Sequence, residues 1–202
     1  MIPLRTLLQK LVLVGFLGLL MTNTPAFAQF SSILGSDKTV AQQRDEILKK
    51  NQEILNRLYK TEPSAKSAIE SAVAYATFSN FGMKILIAGG GSGSGVVISK
   101  NGAKPIYMKM AEVQAGVGLG VKSFQNIFVF QTQAALNSFI NSGWTFGGQT
   151  TVAAKYDQDG AAYAGAVVAA PGLLMYQLTD SGLAAEITGK GTKYYKNTDL
   201  NK

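Results

Sequence analysis

Residues 88–99 read AGGGSGSGVVIS, and the fold turns on why five glycines stand between Gly89 and Gly95. A phosphate-binding loop of the GxxxxGK[ST] kind needs a Lys-Ser or Lys-Thr pair that is absent at that spacing. A dinucleotide turn needs GxGxxG opening a helix, and here Val96 stands where the third glycine belongs, with β-branched residues next. Parity gives a better account. Gly89, Gly91, Gly93 and Gly95 share one face of a strand, because alternate residues point the same way. Gly116, Gly118 and Gly120 repeat the pattern in AGVGLGVK, with Val113, Ala115, Val117, Leu119 and Val121 opposite. Interior glycine weakens a strand, so two bare faces imply that neighbouring chain presses closely against them or that the sheet coils sharply.

The sequence before these strands has helical spacing. In residues 37–60 (DKTVAQQRDEILKKNQEILNRLYK), Ile47, Leu48, Ile54, Leu55, Leu58 and Tyr59 form a seam, with Asp37 as the expected N-cap. Pro63 ends this helix and suits the first turn of a second. Ala65, Ala68, Ile69, Ala72, Val73 and Ala76 mark that second helix as a small-residue stripe, expected to lie on the bare glycine face. Ser79-Asn80-Phe81-Gly82 is its expected C-terminal stop.

Beyond Gly82 the segments 84–99, 106–121, 127–130, 144–156, 162–169, 173–178, 184–188 and 192–195 read as strands. Asn101-Gly102, Asp157-Gln158-Asp159-Gly160, Asp180-Ser181-Gly182 and Gly189-Lys190-Gly191 carry turn chemistry between them. TQAALNSFI at 132–140 reads as a short inserted helix closed by Gly143. The expected fold class is α+β: N-terminal helices packed on a glycine-rich, strongly curved antiparallel β-sheet or partly closed barrel of roughly seven to nine strands. One domain is expected over 37–202, with helices in 37–80, the sheet region in 83–197 and a short helix near 132–141.

The first 28 residues have the pattern of a secretory signal peptide. Arg5 and Lys10 precede the apolar run LVLVGFLGLLM, and Ala26-Phe27-Ala28 stands before Gln29. The run is shorter than the roughly 18 residues that suggest a membrane-spanning helix. The expectations are cleavage after Ala28, a tether at 29–36, and a periplasmic or secreted location that leaves peripheral membrane association open. An uncleaved anchor is the alternative.

Composition narrows the chemistry. The chain of 202 residues has no Cys and no His, which excludes Ser-His-Asp and Cys-His catalysis, common zinc sites and disulfides. The carboxylates in the sheet region are few. Asp157-Gln158-Asp159-Gly160 has Lys155 at the first ligand position of a calcium loop and Ala166 at the twelfth, so it reads as a hairpin turn. No catalytic residue, metal or cofactor is expected, and the chain does not read as an enzyme. Of the 19 Lys and Arg, export removes Arg5 and Lys10, leaving 17 against 12 acidic residues and a net charge of +5. The spread of that charge and the lack of a stacking module argue against nucleic acid.

The segments AVAYATFSN (72–80) and GGGSGSGVVI (89–98) resemble the opening of the SYLF domain. QAGVGLGV (114–121) with IFVFQTQAAL (127–136) resembles its second glycine strand and following segment. WTFGGQTTVAA (144–154) and Leu183-Ala184-Ala185-Glu186 resemble its later strands. The resemblance covers about residues 40–197 and rests on order and spacing. It departs at Ser79-Asn80, where the family usually has a proline, and at the short Met175-Tyr176-Gln177 segment. It implies lipid binding. Actin, a partner of eukaryotic members, is not expected for a bare exported domain of the bacterial envelope.

Lys84, Lys100, Lys104, Lys109 and Lys122, on or beside the first strands, are the candidate lipid-binding residues, with Ile106 and Tyr107 as apolar residues able to reach an interface. The expected partner is an anionic phospholipid or membrane surface. An envelope scaffold acting through protein contacts is the alternative, and a small outer-membrane barrel a subsidiary form of it.

Overall fold

The computed structural model describes residues 38–85, 88–115, 120–146, 164–180, 182–183 and 191–202. Every helix and strand described below falls in one folded unit, Val40–Lys202. Helix α1 spans Val40–Thr61 and α2 Ala65–Ser71. Strands follow at Ala74–Ile85 (β1), Ala88–Ser99 (β2), Ile106–Ala115 (β3) and Gly120–Phe130 (β4). Helix α3 spans Gln133–Ser142. Strands β5 (Trp144–Phe146), β6 (Val167–Ala170), β7 (Leu173–Thr179), β8 (Gly182–Leu183) and β9 (Gly191–Lys196) come next, then a 3₁₀ turn at Asp199–Asn201.

All these strands belong to one curled antiparallel sheet ordered β5-β9-β3-β2-β1-β4-β7-β6, with β8 beside β7. The expected α+β class, with N-terminal helices on a curved sheet, is the one observed. The register fixes which residues share a face. Ala74, Ala76 and Phe78 of β1 point to the concave side, with Val97, Met108, Met110, Phe124, Phe128, Leu173, Met175 and Tyr194. Helix α3 closes that side with Leu136, Phe139 and Ile140. Phe78, Phe128, Phe139 and Tyr194 meet with ring centroids 4.7–6.1 Å apart, mostly edge to face, the arrangement that aromatic quadrupoles favour.

The outer side carries α1 and α2. Ile54, Leu55 and Leu58 of α1 and Ala65, Ile69 and Ala72 near α2 pack on Tyr75, Ile127, Val129, Leu174, Tyr176 and Leu178. Asn51 lies at 2 % exposure in this apolar seam, accepting from the Thr77 hydroxyl (2.9 Å) and donating to the Tyr75 hydroxyl (3.4 Å). Those bonds satisfy an amide whose burial would otherwise be costly.

Two expectations are corrected. The second helix stops at Ser71 instead of running through Ala76, and residues 79–82 lie inside a strand, so helices do not fill 37–80. Helix propensity in an alanine-rich run is a weak prior that tertiary structure overrides. Here β1 gains ladders on both sides, to β2 and β4, and sends Ala74, Ala76 and Phe78 one way and Tyr75 and Thr77 the other. Second, the small-residue stripe of α2 lies on the Tyr75–Ile127–Leu174 surface and not on the glycines.

The glycines still answer to packing at Gly95. It stands opposite Phe78, and a Cβ built there would meet the Phe78 ring, with Cε1 at 2.7 Å. Gly91 and Gly93 share its face, paired with Glu112 and Met110 of β3. Gly116 and Gly118 fall outside the described residues, while Gly120 opens β4. The single strands expected over 84–99 and 106–121 are each divided, the first between β1 and β2 and the second between β3 and β4. Helix α3 forms as its sequence predicts: Thr132 Oγ1 accepts from the Ala135 N–H (3.2 Å), and Gly143 ends it at φ 65°. Asp37, residues 1–36, Asp157-Gln158-Asp159-Gly160 and the strand expected at 184–188 lie outside the described residues.

Candidate functional site

The five lysines singled out by the sequence do not form one patch. Lys100 and Lys104 lie on the exposed loop 100–105 joining β2 to β3. The loop is anchored at its base, where the Lys100 N–H donates to the Val73 carbonyl (3.0 Å), and the Asn101 side chain accepts from the Ala103 N–H (3.1 Å). Gly102 supplies a φ of 76°, which side-chain-bearing residues rarely adopt. The tip is therefore a shaped loop carrying two exposed ammonium groups.

Lys84 and Lys122 belong to the other end of the ribbon. Lys84 pairs with Gly89 and Gly120, and Lys122 with Gly82. Ser99, next to Lys100, pairs with Ala74. Ten residue steps along β1 separate Ala74 from Lys84, about 33 Å at the usual rise of a strand. One flat surface of lysines is ruled out by this length.

Tyr107 does not reach an interface. It is 7 % exposed, and the Arg44 guanidinium carbon lies 5.7 Å from its ring centroid. Burial holds its phenol above the ordinary tyrosine range, partly offset by the Arg44 charge. Its backbone donates to Asn201 Oδ1 (3.0 Å) and accepts from the Asn197 N–H (3.0 Å). Arg44 in turn donates to the Leu200 (3.1 Å) and Lys202 (2.8 Å) carbonyls. Ile106 is half-buried and packs against the concave core. Strand parity decides the matter: residues next to a basic loop in sequence enter the sheet immediately, and both faces of the sheet are covered there.

Lys109 occupies a different setting. On the outer face it stands opposite Ser94 of β2 and Tyr195 of β9, and Ser94 stands opposite Ser79 of β1. No local pattern announces this row, because its members are separated by 15 residues or more and meet only through the register. The neighbouring row, Tyr107–Val96–Thr77–Ile127, is buried under the helices and the 3₁₀ turn. The Lys109–Ser94–Ser79 row lies just past the edge of α1. It floors a groove of ≈ 560 Å³, with Gln43, Glu46 and Ile47 of α1 as one wall and Tyr195, Asn197 and Leu200 as the other. A volume of this size is within the usual span of small-ligand sites.

The groove is polar at its floor. Ser92 and Ser94 are exposed, and Ser79 and Lys109 half-buried. Toward α1 it continues along Lys49, Lys50 and Glu53, where Lys50 Nζ lies 2.7 Å from Glu53 Oε2. That contact holds the Glu53 carboxyl below the ordinary range. Among the described residues, Ser94 and Lys109 are not hydrogen-bonded to each other, so no nucleophile–base pair is assembled.

A second polar cluster lies on the concave face. Gln177 donates to Asn126 Oδ1 (3.0 Å), and Asn126 donates to the Tyr194 hydroxyl (2.8 Å). Glu112, 3 % exposed, stands opposite Thr192, two residues from Tyr194 along the same face. Burial, opposed by the Asn126 bond and reinforced by the Glu112 charge, drives the Tyr194 phenol far above its ordinary range. This cluster serves the interior of the sheet: the Gln177–Asn126 bond joins the adjacent strands β7 and β4, and the Asn126–Tyr194 bond crosses the concave side from β4 to β9.

Among the described residues no three His, Cys, Asp or Glu side chains are grouped to hold a metal ion, and no helix is long and apolar enough to cross a membrane. No family model matches the chain. It is similar to the curated protein "Beta cell expansion factor A" of Aeromonas veronii, 29 % identical over 150 residues, which is 73 % of this chain and 55 % of that protein. The chain thus spans about half the length of this curated relative.

Proposed function

We propose that the chain is an exported, non-catalytic, SYLF-like domain that associates peripherally with anionic phospholipid surfaces of the bacterial envelope. The observation that carries this reading is the anchored loop 100–105, which presents Lys100 and Lys104 together at one end of the sheet. Each cation near an anionic membrane surface contributes about 1 kcal/mol of attraction. The net charge of +5 after export adds a long-range pull of the same sign, which salt screens. The ordered resemblance of the glycine-rich segments to the SYLF domain supports the same reading.

The split of the five candidate lysines refines it. Lys100 and Lys104 form the contact, Lys84 and Lys122 lie too far along the ribbon to share it, and Tyr107 is committed to the fold. Co-sedimentation with phosphatidylglycerol or cardiolipin vesicles tests the proposal. Binding is expected at low salt and is expected to weaken at high salt, with neutral phosphatidylcholine vesicles as the reference. Equal recovery in the supernatant with and without anionic vesicles overturns it and favours an envelope scaffold.

A further inference from the structure

The groove beside α1 is separate from the loop at Lys100 and Lys104, and strand register alone assembles its floor. Tyr195, Lys109, Ser94 and Ser79 stand side by side on β9, β3, β2 and β1, all on the outer face. With strands about 4.8 Å apart, this row is about 14 Å long at the backbone. Among the described residues, the Lys109 ammonium, the Ser94 and Ser79 hydroxyls and the Tyr195 phenol have no hydrogen-bond or ion-pair partner. The walls differ. Gln43 and Glu46 of α1 are already engaged in interactions of their own. Asn197 is committed to the 3₁₀ turn, where its side chain accepts from the Asp199 (3.2 Å) and Leu200 (3.3 Å) N–H groups. The groups left to meet a ligand are therefore those of the floor. Tyr195 stands out among them: Tyr194 beside it is buried in the concave core, whereas Tyr195 is 37 % exposed at the edge of the groove.

These groups select a class of ligand. One ammonium matches one negative charge, and a charge-assisted bond to it is the stronger kind. Serine hydroxyls both donate and accept, as sugar hydroxyls do, whereas the oxygens of an ionised acid only accept. A row of hydroxyls beside a single cation thus suits a polyol with one acidic group better than it suits a bare anion. The exposed Tyr195 ring offers a flat apolar surface for the C–H face of a sugar ring. We infer that the groove binds an acidic sugar of the uronic-acid kind, with its carboxylate on Lys109, its ring against Tyr195 and its hydroxyls on Ser94 and Ser79. The same chemistry is presented by a single sugar acid and by one unit of an acidic polysaccharide. The site is independent of the lipid contact proposed for the loop.

The test is titration calorimetry of the purified protein with galacturonate, galactose and acetate. Galacturonate is expected to bind more tightly than the neutral sugar or the simple acid. Lys109→Met is expected to weaken galacturonate roughly tenfold, to the level of galactose, and Lys109→Arg to retain most of the binding. Tyr195→Ala is expected to weaken galacturonate several-fold, and Tyr195→Phe to retain it, because the ring and not the phenol makes the contact. Thermal melts of the same variants check that the fold is intact. A galacturonate trimer separates the sources: tighter binding than the monomer assigns a polysaccharide, and equal binding assigns the single sugar acid. No saturable heat with galacturonate, equal affinity for galactose or acetate, or unaltered binding by Lys109→Met overturns the site. Failure of the protein to bind phosphatidylglycerol vesicles while galacturonate still binds overturns the proposed function and leaves this site standing.

Discussion

The two faces of β2 are both short of side chains, for opposite reasons. On the concave face Gly95 is bare because the Thr77 carbonyl and the Phe78 ring of the neighbouring strand occupy its space, and Met108 of β3 stands on its other side. The volume a side chain would have taken is filled by its neighbours, and the region is buried. On the outer face Ser92 and Ser94 are small and exposed, and nothing among the described residues fills the space above them. There the missing bulk becomes a groove. Small residues are therefore not one signal: beside large neighbours they mark close packing, and past the edge of a helix they mark an opening.

The sharpest break of this contrast is at the aromatic cluster. Phe78→Ala is expected to lower stability by about 3–5 kcal/mol, the usual range for removing a buried ring, measured by urea unfolding. Gly95→Val is expected to cost about 1–3 kcal/mol by overpacking against the Thr77 carbonyl and the same ring, and the part due to the ring is expected to disappear when Phe78 is already Ala. Equal costs of Gly95→Val in both backgrounds would show that the glycine and the ring do not compete for space.

The concave face also predicts a pH response. The Tyr194 phenol titrates above its unfolded value, so the folded state holds the proton more tightly. Its contribution is fully present below the unfolded tyrosine pKa of about 10 and is lost progressively as pH rises from there toward the folded value. Chemical denaturation at pH 8 and pH 11 is expected to show this loss, and Tyr194→Phe is expected to reduce it. That variant also removes the acceptor for Asn126, at a cost of about 1–3 kcal/mol.

The smallest stability effects belong to the outer face and the loop. Ser94→Val, on the side of β2 opposite Gly95, is expected to change the unfolding free energy by no more than about 0.5 kcal/mol, as is usual for exposed positions. Lys100→Glu with Lys104→Glu is expected to leave the melting temperature nearly unchanged while reducing co-sedimentation with anionic vesicles. Unaltered co-sedimentation would remove the loop from the contact.

Local signals with one meaning were legible in the sequence. The run 132–140 with its Gly143 stop marks α3, and the Ile54–Leu58 seam defines the buried side of α1. Residues 72–78 were not, because their alanines favour a helix locally and only pairing with β2 and β4 overrides that preference. The basic loop could be read from Lys100, Asn101, Gly102 and Lys104, which are neighbours in the chain. The groove could not, since Lys109, Ser94 and Ser79 become neighbours only when three strands find their register. Tyr107 shows the converse: its adjacency to the loop says nothing about which side of the sheet receives the ring.

Asn51 gives α1 a vernier mark. A helix held by leucines and isoleucines alone can slip along an apolar surface with little penalty, trading one set of contacts for a similar set. A slide of one turn, about 5.4 Å, would carry this amide away from both the Thr77 and Tyr75 hydroxyls and strand it in hydrocarbon. The amide thus indexes the buried side of the helix, as the Arg44 bonds to the Leu200 and Lys202 carbonyls do on the side of the opening, and together they hold its edge in place.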